Sequence, residues 1–336
     1  ENFRDGVVMT QTVFDVLRIL DEAGIGNPVP GEVISERLGI SRTAVWKYVN
    51  LLREVGYCID ASPKTGYALQ KRTWLLLPYE VKRFLKTQTI GQEMHHFEQV
   101  PSTNALARQM IHEVGDEVQP GTVLIAEQQT GGIGRMNRVW MSPEGGIWAT
   151  IVVMPKLNVD QTFSIMMAGS LALARAIRHE FGLSALIKWP NDVFIGDKKV
   201  AGMTIELAAD DDVLRYCLIG LGIDVNVSVE RTMPNISKLV TSISDELGHE
   251  VERAQFFAKF LKEFERRYQM VLMGETEPLF REWRSLSYTL HRRVRIRTMK
   301  ESFEGEAIDI DEHGALLVHR DGGEVERVIA GDCFLL

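Results

Sequence analysis

Gln129-Thr130-Gly131-Gly132-Ile133-Gly134-Arg135-Met136-Asn137-Arg138-Val139-Trp140 places three glycines within four positions, and Lys188-Trp189-Pro190-Asn191-Asp192 follows further along the chain. Clustered glycines let a backbone press against a ligand, and Arg135, Arg138 and Lys188 can balance an anion there. That combination suits a phosphorylated or carboxylated guest.

Working outward, Thr122-Val123-Leu124-Ile125-Ala126 reads as a buried strand that delivers Gln129 to the loop. Trp140 to Pro143 and Gly145-Gly146 then turn the chain into a second strand, Ile147 to Val153. Upstream, His95 to Phe97 reads as a strand leading to Ser102-Thr103-Asn104, residues suited to cap a helix over 105–112. Downstream, an apolar helix over 163–181 would pack behind the sheet. The short strand Ala185-Leu186-Ile187 is closed by Lys188. Because burying an unpaired charge is costly, a lysine at that strand end is expected to point into a site. Lys199 to Leu207, an acidic turn at Asp210 to Asp212, and Tyr216 to Gly220 add further strand, running into Leu221-Gly222-Ile223-Asp224-Val225-Asn226. Helices over 242–247, 254–272 and 277–286 follow. The pattern predicts an α+β protein with a mixed sheet backed by helices.

These stretches resemble the active site of biotin protein ligases, whose signature is a Gly-Arg-Gly-Arg-x-Gly-Arg-x-Trp loop and a Lys-Trp-Pro-Asn-Asp strand end. The second motif is matched residue for residue. The first departs at Ile133, where the family has an arginine, and at Asn137, where it has a glycine. Gly220-Leu221-Gly222-Ile223-Asp224-Val225-Asn226 is similar to the family's Gly-x-Gly-Ile-Asn-x-Asn segment, with Asp224 in place of its first asparagine.

The resemblance implies that biotin and ATP give biotinyl-5′-AMP and pyrophosphate, and that biotin then passes to a lysine of a biotin carboxyl carrier domain. Two anions meet in the first step, so fixed positive charge is required. Lys188, with Arg135, is the expected catalytic group. Biotin is expected on Ser102, Thr103, Asn104, Gln129, Gly132, Ile133, Gly134, Arg135 and Lys188. ATP is expected on Arg135, Arg138, Trp140, Lys188, Asn191, Asp192 and Asn226. Trp140 either stacks on adenine or only anchors the loop. Mg²⁺ is expected with ATP, its ligands unassigned; Asp192 could orient Lys188 or help hold the ion.

Residues 11 to 71 read as a separate unit. Thr12 can cap a helix whose apolar positions Val13, Phe14, Val16, Leu17 and Leu20 recur at helical spacing. A second helix is expected over 31–38, and Ser41 is placed to cap a third over 42–55. On the third, Ser41, Arg42, Thr43, Trp46, Lys47 and Asn50 form the DNA-reading set, with Lys64 at the tip of a following hairpin. The order resembles the winged helix-turn-helix of the biotin ligases that also act as biotin operon repressors. From Arg293, short alternating strands punctuated by Gly314, Gly322-Gly323 and Gly331 predict a small β domain, similar to the SH3-like C-terminal domain of the same family. The expected division is 1–71, 72–290 and 291–336, with Lys71 to Leu77 as a linker and Pro78 opening a helix through Leu85.

With 336 residues the chain exceeds one ordinary core, and 45% hydrophobic and 25% charged content is that of a globular protein. No apolar run is long enough for a membrane helix, and no signal-peptide pattern opens the chain, so a cytoplasmic location is expected. The chain begins at Glu1, so a natural start upstream is expected. Cys58, Cys217 and Cys333 lie far apart, which suggests neither a zinc site nor a disulfide framework. A net charge of −8 disfavours coating nucleic acid non-specifically, so DNA contact must be local. One winged helix offers one half-site, which implies a homodimer on an operator. Two other readings stay open. Ile133, Asn137 and Asp224 are compatible with a biotin-sensing regulator of weakened catalysis. Four basic against three acidic residues over 31–56 are compatible with a ligase that no longer binds DNA. A lipoate ligase on a related fold is disfavoured by the intact Lys-Trp-Pro-Asn-Asp.

Overall fold

Val13, Val16, Leu17 and Leu20 fall on one face of the helix Gln11–Ala23 and are wholly buried against Ile34, Val45, Val49 and Leu52 of two further helices, Gly31–Leu38 and Arg42–Glu54. The structure, a computed structural model, describes residues 3–4, 7–8 and 11–336. Thr12 lies inside the first turn rather than at the cap, because the helix already begins at Gln11; the position before it is outside the described residues. Ser41 does cap the third helix, its Oγ accepting from the Ala44 N–H at 3.1 Å. The hairpin Cys58–Ser62 with Gly66–Lys71 completes a winged helix-turn-helix. Gly66 has φ +102°, and a side chain there would press into the Val29 carbonyl, so the wing closes only on glycine.

The segment after the wing is extended, so successive side chains point to opposite sides. Leu75 and Leu77 enter the core of the winged helix, while Leu76 enters that of the central domain. Its backbone is held too: the Leu76 N–H donates to Glu127 at 2.6 Å and the Trp74 carbonyl accepts from Arg253 at 2.8 Å. The segment expected as a linker is therefore built into both domains. The next helix, Pro78–Lys82, stops short of Leu85, since Phe84 and Leu85 donate to residues three back rather than four.

Nine strands form the central mixed sheet, in the order Val7–Val8, Phe3–Arg4, Met94–Val100, Val123–Gln129, Ile147–Val153, Val213–Ile223, Lys198–Asp210, Asp192–Ile195 and Ala185–Lys188. Met94–Val100 runs parallel to Val123–Gln129, and the strands beyond pair antiparallel. Alternation along these strands covers both faces. Val123, Ile125, Ala149 and Ile151 pack with the long helices Thr162–Phe181 and Arg253–Leu272, while Leu124, Val152 and Leu218 pack beneath Ala107 and Ile111 of the helix Thr103–Val114. The strand Asp192–Ile195 is not marked by the sequence pattern, being only four residues on the far side of Pro190.

At the C-terminus Arg292–Arg297, Ser302–Ile310, Leu316–Arg320, Val325–Val328 and Asp332–Leu335 form a five-stranded antiparallel sheet. The last of these strands is likewise unmarked in the sequence. Val294, Ile296, Leu316 and Val318 of this sheet belong to the same buried cluster as the core of the central sheet, so the two are packed as one body.

Candidate active site

A cavity of about 300 Å³ opens where the glycine loop, the end of Ala185–Lys188 and the last strand of the chain meet. Of the residues expected to bind substrates, Ser102, Thr103, Asn104, Gln129, Ile133, Gly134, Arg135, Arg138, Trp140, Lys188, Asn191 and Asp192 line it. Two do not. Gly132 is buried, and a Cβ there would meet the Trp140 carbonyl and Ser142 Oγ, so it serves the loop's own packing. Asn226 exchanges hydrogen bonds with the Val251 backbone at 2.9 and 3.0 Å, which pins a connection outside the cavity.

One end of the cavity is a network of hydrogen bonds among amide, hydroxyl and carboxylate groups. Gln129 Oε1 accepts from the Thr103 N–H at 2.8 Å and from its hydroxyl at 3.1 Å, and Gln129 Nε2 donates to Ser142 Oγ at 2.9 Å. Thr150 Oγ1 donates to Asn104 Oδ1 at 2.5 Å, and Asn104 Nδ2 donates to Glu206 at 2.8 Å. Ser102 caps the helix Thr103–Val114, whose start supplies these groups. The side chains are thus fixed by each other before any ligand arrives, as a small polar ligand requires.

The other end is cationic. Arg135 Nη1 donates to Asn191 Oδ1 and Nη2 to the Gly331 carbonyl, both at 3.0 Å. Both acceptors are neutral. Burial pulls the Arg135 pKa down, and the charges of Asp192 and Asp332 offset this only in part. Lys188 has its Nζ 5.3 Å from the Phe194 ring centroid, and no carboxylate pairs with it among the described residues. Arg138, by contrast, is ion-paired with Asp332. Met136 and Asn137 both have left-handed backbone, φ 56° and 57°. Asparagine tolerates that region well, and the unbranched methionine side chain points to solvent. Ile133 lines the cavity mouth with 60% of its surface exposed.

Trp140 anchors the loop. Its indole lies against the strand backbone, where a side chain at Gly222 would meet Nε1 at 2.4 Å, and the Lys199 Nζ sits 4.8 Å from its ring centroid. Lys199 also pairs with Asp192 at 2.7 Å. Asp192 thus has Lys199 as an ion-pair partner, while it stands opposite Lys188 in the pairing of the two strands. Lys199 and Asp332 escape a reading of the sequence; both act through strands that are neighbours only in the folded sheet. Asp224, visible in the sequence only as a departure, is 3% exposed on the cavity wall, and its Oδ1 has no hydrogen-bond partner. Burial raises its pKa well above the usual carboxylate value, with Asp245 adding to this and Lys199 opposing it. Among the described residues no three His, Cys, Asp or Glu side chains are grouped to hold a metal ion.

On the N-terminal unit, Ser41, Arg42, Thr43, Trp46 and Lys47 are exposed along one side of the helix Arg42–Glu54, and Lys64 is exposed at the wing tip. Asn50 is half-buried and accepts from Arg53, whose guanidinium reaches the Ile59 carbonyl and so ties the helix to the wing. No described helix is long and apolar enough to cross a membrane.

Residues 96–224 match the Biotin/lipoate A/B protein ligase family, 289–336 the Biotin protein ligase C terminal domain and 13–68 an HTH domain. The Bifunctional ligase/repressor BirA of Bacillus subtilis (strain 168) is 33% identical over 320 residues, covering 95% of this chain and 97% of that protein. The protein of the same description from Escherichia coli (strain K12) is 27% identical, covering 87% and 88%. The biotin protein ligase of Aquifex aeolicus, solved with biotin and ATP, shares the fold with a TM-score of 0.62 at 23% identity, covering 73% of this chain and 99% of that one.

Proposed function

This chain belongs to the biotin protein ligase family, and on that premise we propose that its cavity joins biotin to ATP and that its winged helix makes it a biotin-responsive repressor. The observation that carries the catalytic reading is Arg135: a half-buried guanidinium, hydrogen-bonded to two neutral oxygens, facing a cavity shared with Lys188. A buried cation without a directly bonded carboxylate gains most from a bound anion.

In the proposed reaction an oxygen of the biotin carboxylate attacks the α-phosphorus of ATP, forming the mixed anhydride biotinyl-5′-AMP as the bond to pyrophosphate breaks. Lys188 and Arg135 hold the oxyanions that meet there, and Arg138 takes phosphate oxygens further along. Biotin lies towards Ser102, Thr103, Asn104 and Gln129. The amine of an acceptor lysine on a biotin carboxyl carrier domain then attacks the acyl carbon, AMP leaves, and a proton is released. No side chain of the ligase is required as a covalent nucleophile. Mg²⁺ enters with ATP, chiefly on phosphate oxygens and water.

The divisions 1–71, 72–290 and 291–336 are proposed as the DNA-binding, ligase and C-terminal units of a cytoplasmic homodimer. The test is incubation with biotin, Mg-ATP and a carrier domain, following pyrophosphate and the acceptor's mass. Lys188→Ala should abolish pyrophosphate release, since no other group replaces its charge between two anions. Near-normal release by that variant would refute its role, and none from the unsubstituted protein would refute the reaction.

A further inference from the structure

The strand Asp332–Leu335 pairs with Arg292–Arg297, and its first residue faces the glycine loop of the ligase domain. Asp332 is 9% exposed and ion-paired with Arg138 through one guanidinium nitrogen. Arg138 keeps more than half its side chain accessible, so its other donors remain free for a ligand. One residue earlier, the Gly331 carbonyl accepts from Arg135. That turn is close-packed, because a Cβ on Gly331 would lie 2.8 Å from the Arg297 carbonyl. The loop itself carries two consecutive non-glycine residues in left-handed conformation, an arrangement that persists only when the surroundings hold it. The side chains of both its arginines are held chiefly by this turn, with Asn191 as the other partner.

We infer that Asp332 of the C-terminal domain is a positioning residue for adenylation: it fixes the Arg138 guanidinium so that the loop meets ATP already ordered. The inference rests on the reading that Arg135 and Arg138 receive the phosphates. Ordering these groups beforehand removes a cost that binding would otherwise bear.

The test varies ATP and biotin separately while pyrophosphate release is followed. Asp332→Ala should raise the KM for ATP by about ten-fold or more, the scale of a charge-assisted hydrogen bond, and leave the KM for biotin unchanged. Asp332→Asn, which keeps an acceptor for Arg138, should recover most of the loss. In an Arg138→Met background Asp332→Ala should have no further effect, whereas a merely structural role would add to it. In the ligand-free protein, trypsin should cut after Arg138 fastest in Asp332→Ala and at a rate between that and the unsubstituted protein's in Asp332→Asn, whose neutral acceptor holds the guanidinium less firmly than the carboxylate. If Asp332→Ala does not fold, this cleavage in Asp332→Asn decides. An unchanged KM for ATP with unchanged cleavage would overturn the inference, and a lowered KM would make the carboxylate a competitor of the phosphates. Failure of the unsubstituted protein to release pyrophosphate would instead overturn the adenylation reading itself.

Discussion

Asp224 brings a carboxyl group to the cavity wall and leaves Oδ1 without a hydrogen bond. Its pKa is raised by burial from an ordinary value of 3.8, so the folded protein holds that proton more tightly than the unfolded chain. Its contribution to stability is therefore fully present below about pH 3.8 and is lost as pH rises through the folded pKa. Asp224→Asn removes the titration and keeps the shape. Melting temperature should rise on substitution at pH 8 and change little at pH 3.5; an equal shift at both would show that ionisation plays no part. Ile133 raises a different question. Its side chain stands exposed at the mouth of the cavity, where an arginine could reach the adenylate without displacing anything packed. One charge-assisted hydrogen bond is worth roughly 1.5–3 kcal/mol, about ten- to a hundred-fold in affinity. Ile133→Arg should slow biotinyl-AMP dissociation by that order in a stopped-flow trap; an unchanged off-rate would mean that the backbone and the two native arginines already hold it.

Among the elements, the recognition helix and wing carry their charge sparingly. Arg42 and Lys47 are exposed on the helix Arg42–Glu54 and Lys64 at the wing tip, and none of the three lines the cavity. Removing a cation that touches a phosphate lowers the salt slope of DNA binding by roughly one. Neutralising all three should therefore flatten that slope by about three while biotinylation continues. Loss of ligation in the triple variant would assign these residues a folding role instead. Much of the element order was legible, because the helix Arg42–Glu54 buries a stripe at helical spacing, Thr162–Phe181 is apolar and buried along most of its length, and the strand Ile147–Val153 is apolar but for Thr150. Asp192–Ile195 and Asp332–Leu335 were not legible, since each opens on an aspartate and is too short to show alternation, where the equally short Ala185–Lys188 opens on an apolar run. Lys188 and Arg135 stood out because their residue types fix their chemistry. Lys199 and Asp332 did not, because their partners, Asp192 and Arg138, reach them only through the folded sheets. Asn226 shows the reverse error: a motif residue whose amide closes a connection to Val251.

At the scale of the whole molecule, the DNA-binding unit is not loosely tethered. The buried Glu127 takes hydrogen bonds from the Leu76 N–H, His96 and Arg253, and Arg253 also bonds the Gly146 carbonyl. Burial alone would raise the Glu127 pKa; the His96 hydrogen bond and the Arg253 charge bring it down to about 2. Residues 127 and 146 bracket the glycine loop, so one buried ion pair joins the linker to both ends of the substrate loop. A ligand bound between these two ends is therefore linked through packed groups to the DNA-binding unit, and it shifts that unit's equilibrium only through differential binding.

The most direct test measures both activities on one preparation, using DNA selected in vitro by the protein itself. DNA affinity and pyrophosphate release are followed with no ligand, with biotin alone, and with biotin plus Mg-ATP. The expected result is pyrophosphate release together with a DNA affinity that is highest when biotin and Mg-ATP are both present. DNA affinity equal under all three conditions, or the absence of pyrophosphate, would contradict the account.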